Sequence, residues 1–475
     1  MSDNVFSTIC PGCNFGCGLY IREGDKIEVD FRKSSPANAG KLCRFGMKLP
    51  SLFTPVKSMI DGSETEPEDA AKEAASRLSS GSAALVSFGN ATCEEQLAFC
   101  KLAGKLKAPL YTGADFEGLP EDTHSTLRVG IPYTEIEAAK HIVLFIDPYT
   151  RYPLIVRRLV SAKSKGAKIT AVGYRELPIA DENISPDDIS QLSLSGDSVV
   201  IADFHPLSDT RHLKSVLALA GNADAKITFL KPFGNSTGAY LVSKDAKQQA
   251  LAKLVEEIDN GSIDTLFCLE SDVLEVIPEE TAGKLKNLIV QTGHNSATAQ
   301  KANIVIASEP FYKKKGTMVN NEGRIQELGG DGADGIALLG VMAGENYEFD
   351  GLNGEVKSLL GIESVDEFTV PAYERPAYAA PEVTEPGKAG ETSLVTEYTP
   401  FTWSGLADDN DFVELNLDMV RALKLLKGGK VRISSADGAS VEKRFKVGPV
   451  LDNIVITEKR LPFAKGGVVA VEVSR

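Results

Sequence analysis

The stretch Cys10–Val29 reads CPGCNFGCGLYIREGDKIEV. It holds three thiols in a Cys-x2-Cys-x3-Cys loop, followed by two short apolar runs around a Gly-Asp turn. A fourth thiol, Cys43, returns 25 residues later in Gly40–Arg44, GKLCR. A [4Fe–4S] cube needs four thiolates at the corners of a cage. One tight loop can supply three of them, and the fourth must come back from elsewhere. Gly12 and Gly16 interleave with the ligands, so the backbone can curl closely and aim N–H groups at sulfur. Arg44 places a cation beside the fourth thiol, where positive charge tunes an anionic centre. Structural zinc is the competing reading, but it usually takes two separate Cys-x2-4-Cys pairs. Unligated thiols are the third.

Outward from this module the pattern changes. Apolar runs such as Ala83–Phe88, His141–Asp147, Ala167–Val172, Ser198–Phe204, Lys226–Leu230, Thr265–Leu269, Asn287–Thr292 and Asn303–Ala307 read as strands. They alternate with helical segments at Glu94–Leu106, Pro153–Ser164, Leu207–Ala220, Lys244–Asp259 and Glu279–Lys286. Strands alternating with helices imply parallel sheets covered on both faces. The fold class expected is therefore α/β. A small N-terminal iron–sulfur module precedes two doubly wound parallel-sheet halves and a small C-terminal β domain. The boundaries read as 1–60 for the module, 61–235 and 236–363 for the halves, 364–400 for a Pro-rich linker, and 401–475 for the β domain with a helix near Leu415–Leu426.

The chain has 475 residues, 43% hydrophobic and 25% charged, with a formal net charge of −15. That balance excludes a sequence-independent nucleic-acid binder, which needs a basic surface. No run approaches the length of a membrane-spanning helix. The N-terminus has neither a signal-peptide pattern nor a twin arginine, so a cytoplasmic location is expected. Four of the seven cysteines crowd into the first 43 residues, which in a cytosolic protein points to metal or redox chemistry.

CPGCNFGCGLYIREGDKIEV with NAGKLCRFG resembles the N-terminal [4Fe–4S] module of the molybdopterin oxidoreductase superfamily. KANIVIASEPFYKKKGTMVNNEGRIQ, Lys301–Gln326, is similar to that superfamily's GT-x-x-N-x-EGR-x-Q stretch. LFTPVKSMIDG (Leu52–Gly62), Ile136–Gly173, Phe233–Ala239 and Leu254–Asp272 extend the likeness. The resemblance implies a [4Fe–4S] cluster on Cys10, Cys13, Cys17 and Cys43, with Gly12, Gly16 and Arg44 at the cofactor.

Catalytic members of the superfamily ligate molybdenum or tungsten through a Cys, selenocysteine, Ser or Asp. The corresponding region, Thr112–Pro132, has no cysteine. Asp115, Asp122 and Ser125 lack a surrounding family pattern, and His124 reads as a base or, more plainly, a loop histidine. Val172-Gly173-Tyr174-Arg175 stands where phosphate-cradling loops are expected. The closest likeness is to the metal-free large iron–sulfur subunit of complex I, without that subunit's ferredoxin-like N-terminal domain.

The function expected is an electron-transfer subunit of a multi-subunit cytoplasmic redox complex, with partners carrying flavin or iron–sulfur clusters. The alternative is a Mo/W-bis-pterin oxidoreductase of formate dehydrogenase type, with molybdopterin as a further cofactor; structural zinc on a scaffold is the third. Cys93, Cys100 and Cys268 read as core thiols. Lys313–Lys315 reads as a solvated loop or a phosphate contact. Arg324 reads as a structural partner of Glu322, and Asn235–Ala239 as a turn into a helix.

Overall fold

The computed structural model describes residues 4–112, 119–205, 210–246, 248–373, 377–379, 392–403, 412–435, 438–458 and 467–473. Three antiparallel strands open the chain: Asn4–Ile9, Gly18–Glu23 and Ile27–Phe31. Ile9 pairs with Gly18, so residues 10–17 form the connection that carries three cysteines. The second turn, Gly24–Lys26, sits where the Gly-Asp signal predicts it.

Two α/β sheets follow. The five-stranded sheet is parallel, in the order 182–184, 168–172, 141–144, 198–203, 226–230. From 141–144 the chain winds one way through 168–172, and from 198–203 it winds the other way. The reversal lies between 141–144 and 198–203, the point where open α/β sheets form a crevice. The eight-stranded sheet has the order 248–249, 110–111, 83–86, 265–269, 287–292, 304–307, 59–60, 63–64. Its last two strands run antiparallel and the rest are parallel.

Sheet membership cuts across a division at residue 235. Strands 83–86 and 110–111 share a sheet with 265–269 and 287–292, while 141–230 supplies the other sheet. The central strands are buried along nearly their whole length, as sheets covered on both faces require. Helix Cys93–Leu106 starts with a reciprocal cap: the Thr92 side chain accepts from the Glu95 amide, and the Glu95 carboxylate accepts from the Thr92 amide.

Some helices are shorter than their composition suggests. The segment expected as helix Lys244–Asp259 is helical only over Leu251–Asp259, because Gln248–Gln249 pairs with Leu110–Tyr111 as a sheet edge. Glu279–Ala282 stops at Gly283, and the C-terminal helix covers Leu417–Ala422. The tail closes into a barrel of strands 393–396, 454–457, 412–415, 440–447, 430–435 and 467–473. Part of the Pro-rich stretch, 374–376 and 380–391, lies outside the described residues. Among the described residues no helix is long and apolar enough to cross a membrane.

Candidate metal centre

The cysteine loop is closed on itself by the Cys10 amide, which donates to the Cys17 carbonyl at 2.9 Å. Cys43 is the N-cap residue of helix Arg44–Leu52. Its thiol therefore sits at the positive end of a helix, with the Phe45 and Gly46 amides directed at it. The four thiols, brought from two segments, line one cavity together with Gly12, Phe45, Pro153, Leu154 and Pro400. Cys10 and Cys17 are buried, and Cys13 and Cys43 are half-buried.

Burial pushes every one of these thiols up, Cys13 to about 12 and Cys10 and Cys17 well above the ordinary thiol value. Mutual repulsion among the sulfurs adds to the effect at Cys10, Cys13 and Cys17. Four thiolates facing one apolar cavity are stable only around a cationic core, so the donor set fits a metal centre. Zinc holds thiolates at about 2.3 Å, which puts the sulfurs roughly 3.8 Å apart. Among the described residues no group of three or more His, Cys, Asp or Glu could hold one ion. The four thiols line one cavity, and four thiolates around one cavity are the donor set that a polynuclear cluster takes.

The loop is clamped from three sides. Asn14 donates through Nδ2 to the carbonyls of Gly234 and Val319, both at 2.9 Å, and its Oδ1 accepts from the Thr237 hydroxyl at 2.6 Å. Its amide donates to the Lys231 carbonyl at 3.0 Å, and its carbonyl accepts from the Asn321 amide at 2.7 Å. The Phe15 carbonyl accepts from the Tyr133 hydroxyl at 3.1 Å and from Asn320 Nδ2 at 3.2 Å. The rings of Phe15 and Tyr133 stack at 4.6 Å. The GT-x-x-N-x-EGR-x-Q stretch thus forms a hairpin, Lys315–Val319 with Ile325–Gly329, whose polar tip grips the cysteine loop.

Gly16 has φ +80°, and a Cβ there would lie 2.4 Å from Asn320 Cβ. At Gly12 a Cβ would strike the Phe45 ring at 2.4 Å. Arg44 is exposed, with its guanidinium over the Phe401 ring at 5.3 Å.

The other sequence candidates fall as follows. Cys93 and Cys268 are core thiols, and Cys100 bonds with Ser243. Arg324 donates to Glu322 at 2.8 Å, the structural pairing. Asn235 is a scaffold residue, donating to the Ala91 carbonyl at 2.8 Å and accepting from the Val319 amide at 2.7 Å.

The lysine run is not a uniform solvated loop. Lys313 pairs with Glu23, Lys315 lies 3.7 Å from Asp350, and Lys314 is buried between Glu95 and Glu270 at 2.7 Å from each. Asp122 accepts from the Ala379 amide, and His124 is half-buried against the Leu119 carbonyl. Ser125 has a buried hydroxyl with no hydrogen-bond partner among the described residues. Asp115 lies outside the described residues.

The crevice of the five-stranded sheet is filled by the chain itself. Arg175 follows strand 168–172 and contacts Asp147 at 3.6 Å, Glu397 at 3.0 Å and Glu414. Glu397 and Glu414 come from the barrel. Arg151 pairs with Asp203 at 2.5 Å, and His205 stacks on Tyr398 at 4.9 Å. The barrel is stitched on through backbone, with Glu176 donating to the Pro449 carbonyl and Leu451 to the Tyr174 carbonyl, each at 3.0 Å. Four carboxylates face two guanidiniums here, and Glu414 also meets the Lys446 ammonium at 3.2 Å.

Comparison with known proteins places these features. Residues 3–52 match the Molybdopterin oxidoreductase Fe4S4 domain, and residues 210–333 match the family Molybdopterin oxidoreductase. The chain is 29% identical over 196 residues to the F420-dependent formate dehydrogenase subunit alpha of Methanocaldococcus jannaschii, covering 37% of this chain and 29% of that protein. It is 30% identical over 106 residues to an NADH-quinone oxidoreductase subunit of Yersinia pestis, covering 22% of this chain and 11% of that one. The chain thus spans under a third of the length of these curated relatives. The structure of acetylene hydratase from Pelobacter acetylenicus shares the fold, with a TM-score of 0.58 at 11% identity over 97% of this chain and 94% of that one.

Proposed function

We propose that this chain, whose residues 3–52 and 210–333 match the molybdopterin oxidoreductase models, is the iron–sulfur electron-transfer subunit of a multi-subunit cytoplasmic redox complex. Cys10, Cys13, Cys17 and Cys43 ligate one [4Fe–4S] cluster, with Gly12, Gly16 and Arg44 beside it. The observation that carries this reading is the convergence of four thiols on one cavity, with Cys13 and Cys43 half-buried and the other two enclosed. A relay needs one side of its centre near the surface, within reach of a partner's cofactor.

When bound, the cluster supplies one-electron chemistry. This chain's residues hold it in place and set its surroundings. Phe45, Pro153, Leu154 and Pro400 keep water out. The helix beginning at Arg44 presents amides to Cys43, which favour the thiolate. Asn14, Asn320, Asn321 and Gln326 fix the loop so that little rearrangement accompanies an electron's arrival.

The filled crevice at Arg175 supports relay over bis-pterin catalysis, as does the lack of a cysteine in Thr112–Pro132. The formate dehydrogenase and NADH-quinone oxidoreductase relatives are each named as subunits, which supports a complex with other redox subunits.

Elemental analysis of the anaerobically purified native complex tests the proposal. About four irons per chain with no molybdenum or tungsten are expected. One molybdenum or tungsten per chain would make this the catalytic subunit, and zinc without iron would leave a scaffold.

A further inference from the structure

Lys231 is 1% exposed, yet among the described residues its Nζ reaches only two acceptors, the Phe229 carbonyl at 3.1 Å and Asn321 Oδ1 at 2.9 Å. Both are neutral. Other buried cations of this protein are matched differently: Lys314 has two glutamates, Arg151 has Asp203, and Arg175 has three carboxylates. A buried ammonium without an anion is costly: it either gives up its proton or takes a counter-charge from something else.

The backbone says where that charge would be. Residue 232 bridges Cys13 in antiparallel fashion, and the Lys231 carbonyl accepts from the Asn14 amide at 3.0 Å. A Cβ on Gly234 would sit 3.0 Å from the Cys10 carbonyl oxygen. Segment 231–234 therefore lies flat against the cysteine loop. Asn321, which holds the amine, also donates its own amide to the Asn14 carbonyl at 2.7 Å.

We propose that Lys231 is the internal counter-charge of the cluster, a positioning residue that stabilises the added electron through dry protein from behind the cysteine loop. The inference rests on the cluster reading above. Burial alone pushes this amine down to about 7; an anionic centre nearby favours its charged form. Arg44 is exposed, where water and salt screen its charge.

The test is a redox titration of the full chain in its complex, followed by electron paramagnetic resonance, for the wild type, Lys231→Met, Lys231→Gln and Lys231→Arg. Removing a buried positive charge should lower the midpoint potential in both the Met and Gln variants. The shift should persist at high ionic strength, and Arg should stay near the wild type. If Met and Gln fail to retain iron while Arg retains it, the charge is confirmed as part of the site.

A full cluster with an unmoved potential in Lys231→Met overturns the inference and leaves the cluster reading intact. So does a shift that salt abolishes, or loss of the cluster in all three variants. Absence of iron in the wild type overturns both.

Discussion

Gln326 donates through Nε2 to the carbonyl of Gly16 at 3.0 Å, joining residues 310 positions apart. The contact exists because Gly16 turns with φ +80° and carries no side chain. A Cβ at that position would stand 2.5 Å from Gln326 Oε1 and 2.4 Å from Asn320 Cβ. Gly16→Ala must therefore both strain the backbone and push the hairpin off the loop. The backbone strain alone costs roughly 1–3 kcal/mol. Iron content per chain should fall sharply, while Gln326→Ala, which loses one hydrogen bond worth about 1 kcal/mol, should retain most of it. Full iron occupancy and an unchanged melting temperature in Gly16→Ala would contradict this account.

The grouping of the thiols is readable from spacing, because four cysteines fall within 34 positions and line one cavity. The grip of Asn320 and Gln326 is not, since the partners lie some 300 residues away and no local signal connects them. Strand identity is similarly legible in buried runs such as Thr265–Leu269, whereas strand order is not. Placing 83–86 beside 265–269 is a tertiary choice made by helix packing over a long insertion. Lys231 and Lys314 illustrate a third limit. Lys231 follows an apolar pair and Lys314 sits inside a run of three lysines, and in both cases only the fold buries the side chain.

Lys314 is the most consequential of these buried cations for stability. It stands 2.7 Å from both Glu95 and Glu270, and all three are buried. Both carboxylates hold its charge on against the burial that opposes it. Lys314→Met would leave two carboxylates facing each other without a cation. Breaking a buried network in this way costs about 3–5 kcal/mol, which a calorimetric melt of the purified chain would register as a large drop. Adding Glu95→Gln and Glu270→Gln should recover part of the loss. A melt within error of the wild type for the single variant would show that water reaches the site.

His205 gives the protein an acid limit with a definite sign. Burial, with a smaller contribution from Arg151, lowers its pKa from 6.5 to about 3. Between those values the unfolded chain binds a proton that the folded chain refuses, so stability falls as pH drops through 6.5 toward 3. Above 6.5 the residue is neutral in both states and contributes no slope. The slope from this one group is at most about 1.4 kcal/mol per pH unit. His205→Phe keeps a ring to stack on Tyr398 and removes the proton site. Melting temperatures measured across pH 4 to 7, roughly the window the lowered pKa opens, should fall less steeply in that variant. Parallel curves would mean His205 is charged in the folded state.

Arg175 ties the barrel to the five-stranded sheet, and its removal tests whether the crevice is sealed by charge or merely covered. Its guanidinium meets Glu397 and Glu414 from the barrel and Asp147 from the sheet, with all four side chains largely buried. Burial already raises the Glu397 carboxyl, and Arg175 is the main influence pulling it back. Arg175→Met keeps the bulk of the stem but takes the guanidinium from three carboxylates, leaving Glu414 only Lys446 at 3.2 Å. The barrel should then separate from the body at a lower temperature, at a cost of about 3–5 kcal/mol, giving two calorimetric transitions in place of one. The backbone links at Pro449 and Leu451 are not enough to prevent this, because each contributes only about 1 kcal/mol net. Glu397→Gln with Glu414→Gln in the Arg175→Met background should restore a single transition by removing the repulsion. If Arg175→Met still melts in one step at the wild-type temperature, the barrel is held by backbone and apolar contacts, and the carboxylates are free to rearrange around an incoming ligand.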